Sequence, residues 1–425
     1  MSAMLESLAA GFAGDAARAA LLAAALRDGL PGKRVERWKY TSLQALGQRV
    51  FTPRAPAGTI DAAMLAGIPA PRLVFVNGRI DATAIDLQGL PAQVSLRSRA
   101  VEGDGAQAMI GPSIAPAIAP QHARADAVFD RLNAALADDG VHLHVHAAAS
   151  EVPIHLVFVG APAAGDIAWH LRHHITLDAG AKATLIEHHL AAGTHTHLGN
   201  AITQIDLAAG AELAHLRIQH ETDGASLLAR TEATLASDAR YRRLDLELGA
   251  ALSRHELNIH LAGDRASAQA HGVLLASGTR HLDTRIGIEH RARDSACDLV
   301  WRGMAAGRGR AVFHGGIVIQ PGADGSDARL SSKNLLLSAG AEIDTKPVLE
   351  IHADEVKAAH GATVGQLDER ALFYLRSRGI DLVQARRLLT AAFARQVLAA
   401  MPDDDLRQRA STALDAALER LEGEA

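Results

Sequence analysis

The chain has 425 residues, 48% of them hydrophobic but only 3% aromatic, so a large core must be filled by Ala, Val, Leu and Ile, which suits thin stacked layers; the length alone suggests about three domains. Its 43 basic and 48 acidic residues nearly cancel to a formal charge of -5, which leaves no footprint for nucleic acid or an anionic membrane. No apolar run reaches the roughly 18 residues that span a bilayer, and a single cysteine, Cys297, excludes an internal disulfide framework and fits a reducing cytoplasm.

The first segment, LAAGFAGDAARAALLAAALRDGL from Leu8, is interrupted by Asp15, Arg18, Arg27 and Asp28 and reads as an amphipathic helix rather than a signal peptide. It is expected to end near Gly29, ahead of Pro31-Gly32. LVFVNGRI (73–80) carries an Asn77-Gly78 turn between apolar flanks, a hairpin signal. The spacing over 121–139 predicts a helix with Ala127, Phe129, Leu132 and Leu136 on one face and Gly140 as its stop. Residues 1–140 form a mainly helical N-terminal α/β region on this reading.

From Val141 to about Leu367 the period changes to alternation, as in VHLHVH, PIHLVFV, ATLIEHHL, RHELNIHL and AVFHGGIVIQ, and about fifteen short strands follow. LDAGAKATLIEHH from Leu177 and LAAGAELAHLRIQH from Leu207 repeat a Gly-Ala turn and strand at a spacing of thirty residues, and Ser338-Ala339-Gly340-Ala341-Glu342 echoes the turn. Such self-similarity points to a solenoid, whose units bury their apolar edges only by stacking. Alternation by itself also permits a β-sandwich or paired sheets.

Beyond Asp368 the helical period returns. Asp368 can cap a helix through ALFYLRSR that Gly379 ends, Asp381 a second through LVQARRLLTAAFARQVLAAM, and Pro402 opens a third that reaches Leu421. In the second, Leu382, Ala385, Leu388, Leu389 and Phe393 make one apolar face, for burial among these helices or against a partner.

Chemistry-bearing motifs are few. The chain has 22 histidines, among them His142, His144 and His146 at alternate positions and the pairs His173-His174 and His188-His189. Alternate strand residues share a face, so the trio can converge on Zn²⁺ or Fe²⁺, but Val141, Leu143 and Val145 claim the buried side and leave the histidines on the wetter one. Adjacent pairs point to opposite faces. No phosphate loop, dinucleotide fingerprint, nucleophile elbow or HExxH is present. The turn Pro321–Asp327 has acidic composition without EF-hand spacing and is expected to be solvated. Cys297, in the alternating ACDLVW, reads as a small buried hydrophobe. Scattered carboxylates on a β-helix keep a carbohydrate-active enzyme, a polysaccharide lyase or hydrolase, as the alternative.

Residues 327–380 carry the most specific wording: Asp327-Ala328, then Asn334-Leu335-Leu336-Leu337-Ser338, Lys346-Pro347-Val348-Leu349-Glu350-Ile351 and Asp354-Glu355-Val356-Lys357. His360-Gly361-Ala362-Thr363 and Phe373-Tyr374-Leu375-Arg376-Ser377-Arg378-Gly379 follow in order. This stretch resembles the core of the SufB/SufD family of iron–sulfur cluster assembly proteins. Val35-Glu36-Arg37-Trp38-Lys39-Tyr40-Thr41, the length and the near-absence of cysteine resemble the SufD branch.

The resemblance implies a mainly β chain: a right-handed parallel β-helix core over 141–367, the N-terminal region before it and a C-terminal helical domain over 368–425 that docks the ATPase SufC. It implies a cytoplasmic, non-enzymatic scaffold subunit, with ATP hydrolysis left to SufC. The chain would pair with SufB through the β-helix edge, and the same edge would serve a homodimer of the isolated chain. His360 matches a histidine that acts with a SufB cysteine on iron or a nascent iron–sulfur cluster, and no cofactor is held by this chain alone. Many relatives carry a cysteine two residues before that histidine, where this chain has Ala358. Clusters commonly take four thiolates and this chain owns one, so the site is shared.

Overall fold

The computed structural model describes residues 2–53, 58–98, 125–146, 152–401 and 403–423. The chain opens with helices α1 (Ala3–Ala10) and α2 (Ala16–Asp28), a short α3 (Gln44–Gly47) and strand β1 (Thr52–Pro53). The single helix expected over the first thirty residues is thus two: Gly11 closes α1, and the Asp15 carboxylate accepts the Arg18 N–H to start α2 afresh. Gly29, at φ 68°, ends α2 where the sequence placed the stop. Strands β2 (Arg72–Val76) and β3 (Arg79–Ile80) form the expected hairpin, with Asn77 at φ 50° and Gly78 at φ 75°. Strand β4 (Val94–Ser98) and helix α4 (Val128–Leu136) follow. The predicted helix began at 121, and its residues 121–124 lie outside the described residues.

The remaining strands are β5 (Val141–Val145), β6 (Ile154–Gly160), β7 (Ile167–Leu177), β8 (Lys182–Ala191), β9 (Leu198–Leu207) and β10 (Glu212–His220). They continue as β11 (Ser226–Leu235), β12 (Arg240–Glu247), β13 (Leu252–Leu261), β14 (Ser267–Ala276) and β15 (His281–His290). The last are β16 (Ala296–Ala305), β17 (Arg310–Ile319), β18 (Asp327–Leu336), β19 (Glu342–Ile351) and β20 (Lys357–Gly365). Odd strands from β5 to β19 lie side by side in one parallel sheet and even strands from β6 to β20 in another, so the chain crosses after every strand. The result is a parallel β-solenoid of about seven turns.

Register fixes the size of a turn. Leu252 pairs with His281 and His281 with Arg310, a step of 29 residues. Leu177 pairs with Leu207, so the two sequence repeats stack directly; Gly180 and Gly210, at φ 71° and 68°, take the left-handed conformation that the turns need. Ser338–Glu342 does not join that stack, because it links an even strand to an odd one at the opposite edge.

Small and aliphatic side chains fill the space between the sheets, including Ala183, Leu185, Ile205, Leu213, Ala233 and Leu257, with Trp301 stacked on Phe313 at 5.3 Å. Part of each outer face is also covered. On the odd sheet, Ala168, Leu198 and Leu228 pack under Met4, Trp38, Phe129 and Leu132. On the even sheet, Leu216, Leu244, Leu246 and Val273 pack under helix α6 (Leu382–Arg395), the 3-10 turn that follows it with Val397 and Met401, and α7 (Asp404–Gly423) through Leu406, Leu414 and Leu418, whereas α5 (Glu369–Ser377) buries no side chain. Each such leucine, fully buried, contributes about 1.5–3 kcal/mol. Pro402, the expected opener of α7, lies outside the described residues.

The apolar face expected on α6 is divided. Ala385 is buried and Phe393 packs toward the sheet, but Leu382 and Leu388 are exposed, because Ala391 and Ala394 occupy the contact instead.

Candidate functional site at the open end of the solenoid

Strands β19 and β20 are the last in their sheets, and among the described residues no further strand pairs with either. Within the preceding layer the inward positions of β18, Ala328, Leu330, Ser332 and Asn334, are all buried. Their partners in register on β20 are Ala358, His360, Ala362 and Val364. His360 is exposed and Val364 is 43% exposed, since no layer lies above them. On β19, Ile343, Leu349 and Ile351 continue the inward rows of Ala311, Ile317 and Ile319; Ile343 and Leu349 are half-buried against the layer below and Ile351 is exposed.

The solenoid therefore ends in an uncapped layer that offers two kinds of contact at once: a row of unpaired strand N–H and C=O groups and a patch of apolar side chains. Each strand edge is a template for another chain. His360 stands in that patch, where a neutral imidazole can give a nitrogen lone pair to a borderline metal such as Fe²⁺.

Cys297 lies on β16 in register with Ala328, which is in register with Ala358. Its sulfur is buried, 3.2 Å from His290 Nε2, and His290 Nδ1 is 2.8 Å from Ser295 Oγ. Burial pushes the thiol up to about 12 and the imidazole down to about 4, so both are neutral and no thiolate is available. The sequence reading of Cys297 as a packed hydrophobe agrees with this, but the His290 partner was not visible in the alternation.

Polar side chains inside the solenoid also escaped the sequence. On β8, β10 and β12 the residues facing inward include Glu187, His215, Arg217, Arg243, Asp245 and Glu247, all buried. Arg217 pairs with Glu247, Arg243 Nε donates to Asp245 at 2.9 Å, and Arg243 Nη1 donates to the Tyr241 hydroxyl at 2.9 Å. Burial raises the Glu187 carboxyl, yet His215, His189 and Arg243 beside it hold it well below the usual range. Asp245, buried more than it is compensated, is raised to about 6.

Of the conspicuous histidines, His142, His144 and His146 do face outward, with Val141, Leu143 and Val145 in the core. His188 and His189 point to opposite faces, but both are buried, because the helices cover the outer one. In the turn Pro321–Asp327 the residues Pro321, Gly322 and Gly325 are exposed, while Ala323 and Ser326 are buried, so the expected solvated turn is solvated only in part.

The segment Val35–Thr41 ties the N-terminal region to the odd sheet. Trp38 is buried with the Arg254 guanidinium 3.9 Å above its ring, Arg37 pairs with Glu256, and Thr41 Oγ1 donates to Asp283 at 2.5 Å. C-terminally, Phe373 is 75% and Val383 63% exposed, with Tyr374, Leu382 and Leu388 also open to solvent, an apolar surface of a kind that marks interaction sites. A groove over Leu177–Asp178, Leu207–Ala208 and Ala236–Ser237 has no aromatic lining on which a sugar could stack. No helix among the described residues is long and apolar enough to cross a membrane.

Comparison with known proteins gives one family. The model for "SUF system FeS cluster assembly, SufBD core domain" matches residues 159–393. The chain is 33% identical over 391 residues to the iron–sulfur cluster assembly protein SufD of Escherichia coli, covering 90% of this chain and 88% of that one. A SufBD family protein of Synechocystis is 29% identical over 394 residues, with 89% and 86% covered, and one of Mycobacterium tuberculosis 30% over 272 residues, with 62% and 67% covered.

Proposed function

This chain belongs to the SufBD family of the SUF system and acts in iron–sulfur cluster assembly, and we propose that it does so as a non-catalytic scaffold subunit, of the SufD type, in a complex with SufB and the ATPase SufC. The observation that carries the reading is the uncapped last layer, with His360 set among exposed apolar side chains on an edge strand. A SufB protomer that added its own terminal layer there would pair the free edges of β19 and β20 and bury Ile351 and Val364.

In this reading iron or a nascent cluster is cargo, built at the junction of the two chains. His360 supplies one imidazole ligand, and Ala358 supplies none. With Cys297 held as a buried thiol beneath the surface, the thiolates come from SufB. SufC docks on the C-terminal helices, where Phe373, Tyr374, Leu382, Val383 and Leu388 are uncovered. The chain works in the cytoplasm, and in isolation it pairs with a second copy through the same free edges. Nothing in the comparisons or in the described residues favours the carbohydrate-enzyme alternative.

Co-expression of the chain with its cognate SufB and SufC tests the reading. A stable ternary complex in size-exclusion chromatography is expected, with SufB binding lost when Ile351 and Val364 are replaced by Glu; no complex with the wild-type chain would refute it.

A further inference from the structure

We propose that His144, His146 and Asp178 form a second metal site, for a divalent first-row transition cation, on the outer face of the odd-numbered sheet. The three offer ligand atoms that all lie within 4.8 Å of one another. His144 Nε2 is 2.9 Å from Asp178 Oδ1, and His146 Nδ1 is 3.2 Å from Oδ2. Metal–ligand bonds of about 2.0–2.2 Å require ligand separations of about 3–3.5 Å, so small side-chain movements close the set.

The geometry follows from the fold. His144 lies on β5 and His146 directly follows its last residue, two positions on in the same extended run, with their ring centroids 3.9 Å apart. Asp178 comes from the turn directly after β7, the parallel neighbour of β5, and its N–H donates to the Val145 carbonyl at 2.9 Å, which fixes the carboxylate over the two rings. His142 is left out of the set. It lies opposite Arg97 on β4 and pairs instead with His174, 5.5 Å away on the next strand.

The chemistry selects the ligand. Two imidazoles and one carboxylate suit Fe²⁺ or Zn²⁺ rather than Mg²⁺ or Ca²⁺, which prefer all-oxygen shells. Without metal each imidazole donates its ring N–H to the carboxylate; with metal that proton sits on the other ring nitrogen and the freed lone pair faces the ion. A carboxylate is anionic at neutral pH, so Asp178 brings one negative charge to the cation. Side-chain exposures of 29%, 52% and 44% for His144, His146 and Asp178 leave the ion open to water and exchange. Three protein ligands with free positions describe a loading or relay site better than a structural one.

The proposal is independent of His360 and of the partner proteins. Untagged chain, stripped with a chelator, is titrated anaerobically with Fe²⁺ and, separately, with Zn²⁺ by calorimetry at neutral pH. One ion per chain is expected at this site. His144→Ala/His146→Ala should weaken it by more than the roughly 10–100-fold seen for loss of outer-shell partners, and Asp178→Asn, which keeps the side-chain shape, by at least about tenfold. His360→Ala should leave it unchanged. Wild-type chain that takes up neither ion, or affinity untouched in folded Asp178→Asn, overturns the site; if the double variant does not fold, Asp178→Asn and the two single variants decide.

Discussion

Cys297 and Ala358 occupy one row of the solenoid interior, two strands apart, with Ala328 in register between them. At about 4.8 Å per strand the sulfur lies roughly 10 Å below the open layer. The one thiol of the chain is thus in line with the place where a thiolate would be useful, yet sealed beneath it.

That burial makes Cys297 inert. With its pKa pushed up to about 12 and its sulfur covered, iodoacetamide at neutral pH should label the native chain far more slowly than the urea-unfolded chain. Equal labelling rates, read by mass spectrometry, would show that the thiol is accessible and the assignment wrong.

The interior ion pair between Arg217 and Glu247 is buried on both sides. Glu247→Gln leaves Arg217 with only the more distant Glu187, 3.7 Å away, and should destabilise the chain by up to roughly 3–5 kcal/mol. Urea unfolding followed by circular dichroism measures this; an unchanged midpoint would mean that the pair is solvated.

Stability should fall as the solution is acidified from about pH 6.5 to 4. His170, His188 and His215 are pushed by burial to about 3, 3 and 4, well under the 6.5 of an ordinary histidine. In that window the unfolded chain binds more protons than the folded one, so protonation favours unfolding, by about 1.4 kcal/mol for each unit of displacement. Asp130 and Asp245, raised to about 6 by burial, act in the opposite sense and offset part of the loss. Glu187 and Glu256, buried but held low by their cationic neighbours, add to it below about pH 4.5. A melting temperature that is flat from pH 7 to 4.5 would contradict the buried neutral histidines.

Phe373→Asp/Tyr374→Asp should leave the melting temperature of the chain unchanged, because both side chains are already exposed, and should weaken SufC binding by at least about tenfold, as loss of an aromatic anchor does. Unaltered SufC affinity in calorimetry would move the docking surface elsewhere.

The sequence encodes the strand period of this fold but not the facing of each strand. The strand period was plain in β5, β6 and β8, and the Gly180 and Gly210 turns announced the stacking. Which side of a strand faces inward was not legible. In RYRRLDLE the apolar Leu244 and Leu246 face outward under the C-terminal helices, while Arg243, Asp245 and Glu247 point into the interior. An amphipathic strand has the same alternation whichever face is buried, and a helix laid over the outer side inverts the usual rule. The trio at His142–His146 was correctly placed outside, but Asp178 comes from the next turn of the solenoid, 34 residues from His144, and only the register brings it there. His360 was found through wording, not periodicity, since nothing in an alternating strand says that it is the last one.

In the proposed function His360 serves iron at a junction shared with SufB. The direct test is the iron content of the purified complex with SufB and SufC, wild type against His360→Ala, measured after anaerobic reconstitution with complex assembly checked in the same samples. Intact complexes with iron reduced severalfold in the variant are expected. Intact complexes with iron undiminished would contradict it.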